Sequence, residues 1–97
     1  MSVGRVIKTG DQEYSLVDFR KHGLGLADLA EFIRLGHEID VHDEHGQNLT
    51  KETLVDVAFA ASGLPESESA RAKLMREDDF RLQQIIEDDQ VTEFLSR

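Results

Sequence analysis

The chain has 97 residues, of which 39% are hydrophobic and 32% are charged, a length that fits a single small domain or a domain with an appendage. It contains no cysteine, which excludes a disulfide scaffold, a thiolate zinc site and a cysteine nucleophile. The net charge is −9, made up of +1 over residues 1–23, −6 over residues 24–62 and −4 over residues 63–97. A polyanion such as DNA would therefore be repelled by all but the first of these sections.

A β-hairpin is predicted at the start of the chain. Larger residues alternate with smaller ones over residues 3–9, and Gly10 with Asp11 forms a turn signal. The second strand would precede a loop at residues 21–23, and its large apolar residues are Tyr14, Leu16 and Phe19.

A helix and a third strand follow the hairpin. The helix is predicted from apolar residues spaced three and four apart, and Gly36 is placed to end it. The strand is predicted because Ile39 and Val41 alternate with polar residues. The apolar stripe of the helix consists of Leu26, Leu29, Ala30, Phe32 and Ile33.

A second helix is predicted to begin at a Thr50 cap and to end at Gly63, since Pro65 prevents its continuation. Its apolar stripe contains Leu54, Val57, Ala58 and Ala61. These elements define a predicted α+β domain over residues 1–62: a β-hairpin, a third strand and two packed helices. Residues 63–97 form a predicted helical extension.

The extension is predicted to be one bent helix or two helices, because the apolar spacing slips by one residue across residues 87–89. Its apolar residues have two interpretations. They pack onto the domain core, or they form a face that binds a partner or a second copy in a homodimer. The residues of this face are Leu82, Ile85, Ile86, Val91, Phe94 and Leu95.

Catalysis and metal binding have weak support in the sequence. Glu38, Asp40 and His42 would share one strand face, with His45 nearby, but a solvated strand face explains the same pattern. The Gly-x-Gly at residues 23–25 lacks the rest of a phosphate-binding motif. We therefore predict a protein that is not an enzyme and has no metal or cofactor.

Basic residues in the first 23 positions are the candidates for contact with DNA. On a two-stranded ribbon they could flank a groove of the duplex. These residues are Arg5, Lys8, Arg20 and Lys21.

Residues 5–59 resemble the N-terminal DNA-binding domain of the polyhydroxyalkanoate synthesis regulators, which are bacterial transcriptional repressors. The matching segments are Arg5-Val6-Ile7-Lys8, Leu16-Val17-Asp18, Leu26-Ala27-Asp28-Leu29-Ala30-Glu31, Ile33-Arg34-Leu35-Gly36, Val41-His42-Asp43, Gly46, and Leu49-Thr50 followed by Leu54. The resemblance implies a transcription regulator that binds DNA, and the storage polyester granule as a further ligand. The paired arginines that the family carries after its first strand are absent from residues 9–18.

Two further functions are consistent with the acidic composition. One is an adaptor or inhibitor that holds a basic protein through the C-terminal helix, and the other is an inhibitor that imitates nucleic acid with its carboxylates. The sequence shows no secretion signal, and its most apolar window, residues 54–61, is too short to cross a bilayer. We therefore expect a cytoplasmic protein.

Overall fold

The computed structural model describes residues 3–97 and has the α+β fold that the sequence predicts. A four-stranded mixed sheet is combined with helices that include the C-terminal ones. The elements in chain order are β1 (Val3–Gly10), β2 (Glu13–Leu16), β3 (Lys21–Leu24), α1 (Leu26–Arg34), β4 (Glu38–Asp43), α2 (Thr50–Ser62), α3 (Glu68–Met75), α4 (Asp79–Glu87) and α5 (Val91–Leu95).

The sheet has the strand order β3-β2-β1-β4. Strands β1 and β2 form the predicted hairpin, and β4 is parallel to β1, with Val6 paired to Leu16 on one side and to Val41 on the other. These three side chains are buried. Alternate positions such as Arg5 and His42 are exposed or half-buried, as the two-residue period of a strand requires.

The predicted loop at residues 21–23 is wrong, because these residues belong to strand β3, antiparallel to β2. Leu16 pairs with Lys21, and Tyr14 pairs with Leu24. The strand contains a lysine and a glycine, which are depleted in strands, and it pairs with the free edge of β2. Phe19 lies in the turn between these strands and not in a strand.

Helix α1 buries three of the five residues of the predicted stripe and ends as predicted. Leu29, Ala30 and Ile33 face the core, whereas Phe32 is half-buried. The amide of Gly25, at the N-cap, donates to Asp28 Oδ2 at 2.8 Å. Gly36 follows the C-cap with a φ of 94°, a conformation in which a side chain would be strained.

Thr50 ties the start of helix α2 to strand β4. It is the first residue of the helix and not its cap, since the N-cap position is occupied by Leu49. The amide of Val41 donates to Thr50 Oγ1 at 2.9 Å, and the amide of Thr50 donates to Asn48 Oδ1 at 2.9 Å. These contacts fix the direction in which α2 leaves the sheet, and Gly63 ends the helix with a φ of 70°.

Residues 68–95 form three short helices, where the sequence predicts one bent helix or two. The hydroxyl of Ser67 caps α3 by accepting from the amide of Ala70, and the carboxylate of Asp78 caps α4 by accepting from the amide of Arg81. The predicted slip in apolar spacing coincides with the end of α4. The additional break between α3 and α4 follows from the strong capping residue Asp78, which lies in mid-segment.

The C-terminal helices share one hydrophobic core with the sheet. The guanidinium of Arg71 on α3 donates to Asp56 on α2 at 2.8 Å and to Glu66 at 2.9 Å. The boundary predicted after residue 62 therefore lies in a loop between helices of a common core. The C-terminal residues of that core are Leu74, Leu82, Ile85, Ile86 and Val91.

Candidate functional site

Three of the four residues predicted to contact DNA lie around the β2–β3 turn. Val17 donates its amide to the carbonyl of Arg5 at 2.9 Å, and Arg20 donates its amide to the carbonyl of Val17 at 3.3 Å. Lys21 is the first residue of β3. Lys8 lies further along β1 and is paired with Tyr14, so the structure does not bring all four cations together.

The cations near the turn have acidic neighbours. Arg5 donates from its guanidinium to Asp18 Oδ1 at 2.8 Å, and this hydrogen bond holds the pKa of the Asp18 carboxyl below its usual value. Lys21 lines a shallow hollow together with Asp28 and Glu31. Compensation by neighbouring carboxylates reduces the attraction that these cations exert on a phosphate.

Lys8 has the same kind of surroundings. It lines an open hollow with Asp43, Glu44 and His45, and its ammonium lies 6.0 Å from the centre of the Tyr14 ring. This part of the surface is acidic, so Lys8 does not extend the basic region near the turn.

The structure buries most of the predicted partner-binding face. Leu82, Ile85 and Ile86 are each 1% exposed, and Val91 is 2% exposed, because α4 and α5 turn these residues into the core. Phe94 and Leu95 are half-buried against the same core. In the structure these residues have the arrangement of the other interpretation, packing onto the domain core, and α4 packs against α1 and α2.

Of the candidate metal ligands in and after β4, Asp40 and His42 contact each other, whereas Glu38 and His45 line different hollows. His42 Nε2 lies 3.1 Å from Asp40 Oδ1, which also accepts from the hydroxyl of Thr50 at 3.3 Å. Glu38 lines hollows beside α4, whereas His45 lies in the turn after β4. Within residues 3–97, the structure contains no group of three or more histidine or carboxylate side chains arranged to hold a metal ion.

The most exposed aromatic side chain of the described residues is Phe80, with 70% of its surface accessible. Phe80 lies in the first turn of α4, just after the capping Asp78. It shares a helix side with Gln84 and Glu87, which follow it by four and seven residues, rather than with the buried stripe that contains Ile86. The helix therefore presents the ring to solvent.

Three adjoining hollows surround Phe80, and we refer to them together as the Phe80 groove. Their volumes are about 660, 120 and 230 Å³, and Phe80 lines each of them. Apolar parts of the lining come from Ile39, Leu54 and Met75. The carboxylates that line the groove are Glu38, Glu52, Asp78, Asp79, Glu87 and Asp88.

The Phe80 groove is predominantly negative. Lys51 is the cation that lines it, and the Lys51 ammonium donates to the carbonyl of Met75 at 3.4 Å. Asp78 is engaged in capping α4. In the described part of the chain no ion pair is formed by the remaining groove carboxylates, which are Glu38, Glu52, Asp79, Glu87 and Asp88.

Phe80 is not among the site residues predicted from the sequence. A signal was present, since Phe80 falls outside the stripe of Leu82, Ile85 and Ile86 and stands beside two aspartates. The hollows around it could not be found in this way, because α2, α3, α4 and β4 all contribute to them.

Comparisons of the chain with protein-family models, with curated proteins and with solved structures found no match. The resemblance to polyhydroxyalkanoate synthesis regulators therefore stays a prediction based on the sequence motifs. Among residues 3–97, none of the helices combines the length and the apolar character that crossing a membrane requires.

Proposed function

We propose that this chain is a non-enzymatic regulatory protein that binds a basic protein partner through the acidic surface of its helices. The observation that carries the proposal is the Phe80 groove, in which carboxylates from β4, α2 and α4 surround an exposed aromatic ring. Interfaces between proteins are enriched in exposed aromatic residues, and charge of one sign attracts a partner of the opposite sign. The net charge of −9 supports the same partner chemistry.

Binding of DNA is the second candidate function. It is favoured by the position of Arg5, Arg20 and Lys21 around one turn, and by the resemblance of residues 5–59 to a DNA-binding domain. The carboxylate of Asp18 beside Arg5 weakens this candidate, because each compensated cation releases fewer counterions from DNA. We therefore rank contact with a basic protein above contact with DNA.

Fluorescence anisotropy separates the two candidates. The full chain is titrated against a labelled oligolysine peptide, a labelled oligoserine peptide of equal length and a labelled DNA duplex, each at low and at moderate salt. We expect binding to oligolysine that weakens as salt rises, and no binding to the other two probes, since the attraction is electrostatic.

Binding to the duplex without binding to oligolysine would reverse the ranking. A charge-reversed variant provides a further control for that outcome. Replacing Arg20 and Lys21 by glutamate should abolish contact with DNA if these residues make it, and should leave the affinity for oligolysine unchanged or slightly higher.

A further inference from the structure

We infer that the Phe80 groove binds one segment of a basic protein in which lysine or arginine residues flank a large apolar side chain. This inference rests on the proposed function and adds the binding site and the chemistry of the bound segment. Phe80 would be the residue that contributes most to affinity, and the carboxylates around it would select the basic flanks.

The Phe80 ring is exposed and, among the residues that the structure describes, unstacked. Its exposed fraction of 70% is large for a phenylalanine, and within residues 3–97 it has no aromatic partner. A partner that covers the ring removes apolar surface from water. An arginine side chain placed over the ring would add a cation–π contact.

The groove extends beyond Phe80 to residues of other helices. Its largest hollow, about 660 Å³, reaches from Phe80 to Met75 at the end of α3 and to Lys51 in α2. The hollow is wide open to solvent. An apolar side chain beside Phe80 would therefore cover the ring and the Met75 side chain while part of it stays exposed.

The carboxylates of the groove are complementary in charge to a basic segment. Glu52 lines the largest hollow, Glu38 lines the smallest and the intermediate hollows, and Glu87 lines the intermediate one, so carboxylates accompany Phe80 in each hollow. These carboxylates form no ion pairs within residues 3–97, so their charges are available to an incoming cation. A segment that is basic on both sides of an apolar residue fits this arrangement.

Leu35 shows that exposure alone does not define such a site. Leu35 is also 70% exposed, but the hollow beside it contains about 190 Å³ and is lined by Lys21 as well as by Asp28 and Glu31. One cation offsets one of the two carboxylates there, so this hollow attracts a cationic partner less than the Phe80 groove does. Leu35 is therefore the matched control for Phe80, with equal exposure and a different electrostatic setting.

A second copy of this chain is a less suitable occupant than a basic protein. Each copy carries a net charge of −9, so two copies repel one another, and an acidic groove adds to this repulsion. Self-association through Phe80 is nevertheless a measurable outcome, and it is included in the test.

The test uses two synthetic peptides of alternating lysine and arginine, one with a central leucine and one with serine in its place. Binding to the full chain is measured by calorimetry for the wild type, for Phe80→Ser and for Leu35→Ser. We expect the wild type and Leu35→Ser to prefer the leucine peptide by roughly tenfold, as burial of one apolar side chain predicts. Phe80→Ser should bind both peptides equally and weakly.

The acidic rim is tested by a pair of variants with the same net charge. In the first variant Glu52 and Glu87 are both replaced by glutamine, and in the second Glu13 and Glu44, which lie outside the groove, are replaced in the same way. We expect the first variant to lose several-fold more affinity for either peptide than the second, because nearby charges dominate at physiological salt.

The outcomes distinguish the inference from the proposed function. If the wild type binds both peptides equally, or if Leu35→Ser loses the preference as Phe80→Ser does, the inference is wrong and the proposed function stands. If neither peptide binds, both are wrong. If sedimentation velocity shows a wild-type dimer that Phe80→Ser abolishes, the occupant is a second copy and the inference is overturned. Circular dichroism checks that every variant is folded.

Discussion

Phe19 and Phe80 are both exposed aromatic residues, but they lie in regions of different charge and different packing. The ring of Phe19 packs edge-on against Phe32 at 5.5 Å between ring centres, and Phe32 stacks on the imidazole of His37 at 4.4 Å. The neighbours of Phe19 in the chain, Asp18 and Arg20, carry both signs of charge. The ring of Phe80 lies among carboxylates, and no ring of the described residues stacks on it.

Phe19 packs within the fold, whereas the Phe80 ring is accessible from solvent. Phe19 is 47% exposed, yet its ring stabilises the β2–β3 turn by covering Phe32. Phe80 is 70% exposed and contributes little to the core, as the proposed contact with a partner requires. Both residues are exposed. They differ in the contacts of their rings and in the charges around them.

The largest expected effect concerns the core beneath Phe80. Ile86 lies on α4, 1% exposed, and Ile86→Ala should lower the free energy of unfolding by about 2–5 kcal/mol because it leaves a cavity in the shared core. Urea unfolding followed by the fluorescence of Tyr14 in the sheet and by circular dichroism of the helices measures this. Two separate transitions, with the sheet unaffected, would show that α4 is an independent extension.

A smaller loss is expected from Gly4→Ala, which disturbs the aromatic cluster that supports Phe19. An added Cβ at Gly4 would lie 2.7 Å from the Phe32 ring and would displace it. We expect destabilisation of about 1–3 kcal/mol, measured by urea unfolding, as is typical of overpacking. Unchanged stability together with an unchanged Phe32 environment in NMR spectra would contradict this account.

The comparison itself is tested by the pair Phe19→Ala and Phe80→Ala. Phe19→Ala removes an edge-to-face contact and should cost about 0.5–1.5 kcal/mol of stability. Phe80→Ala should change the free energy of unfolding by no more than about 0.5 kcal/mol, as surface substitutions generally do. Thermal and urea unfolding measure both variants. A larger cost for Phe80→Ala than for Phe19→Ala would mean that Phe80 is structural.

The smallest expected effect is a pH dependence in the turn that leads from β4 to α2. The Asp43 carboxylate accepts the amide of Gln47 at 2.9 Å and that of His45 at 2.8 Å, and these bonds hold its pKa below the usual value. Because the folded pKa is depressed, the stabilisation is present above the unfolded pKa, near 4, and is lost as the pH falls through the folded value.

Asp43→Asn should therefore lower stability at neutral pH and narrow its difference from the wild type below about pH 4. Urea unfolding across the acidic range measures that difference, and Asp11→Asn in the exposed β1–β2 turn is the control. A difference that is independent of pH would show that the carboxylate charge plays no part in this turn.

Much of the fold could be predicted from the sequence. The spacing of Leu29 and Ile33 predicted α1, Gly36 and Gly63 marked helix ends, and the alternation around Val41 predicted β4. Each of these features depends on neighbours within a few residues, since periodicity and capping are local. The hairpin was predicted for the same reason.

The missed features depend on contacts between distant parts of the chain. Strand β3, beginning at Lys21, exists through pairing with β2, and its own residues do not favour a strand. The sequence also left two interpretations for Leu82 and Ile85, packing onto the core or binding a partner, because an apolar stripe has the same spacing in both cases.

The residue sequence by itself therefore determined the α+β class, the main helix boundaries and the acidic character of the molecule. Tertiary structure alone decided that the C-terminal helices complete the core and that Phe80 is left outside it, in a groove lined by β4, α2, α3 and α4. The physical reason is that helix periodicity is set within a turn or two, whereas burial is set by which surfaces meet when the whole chain packs.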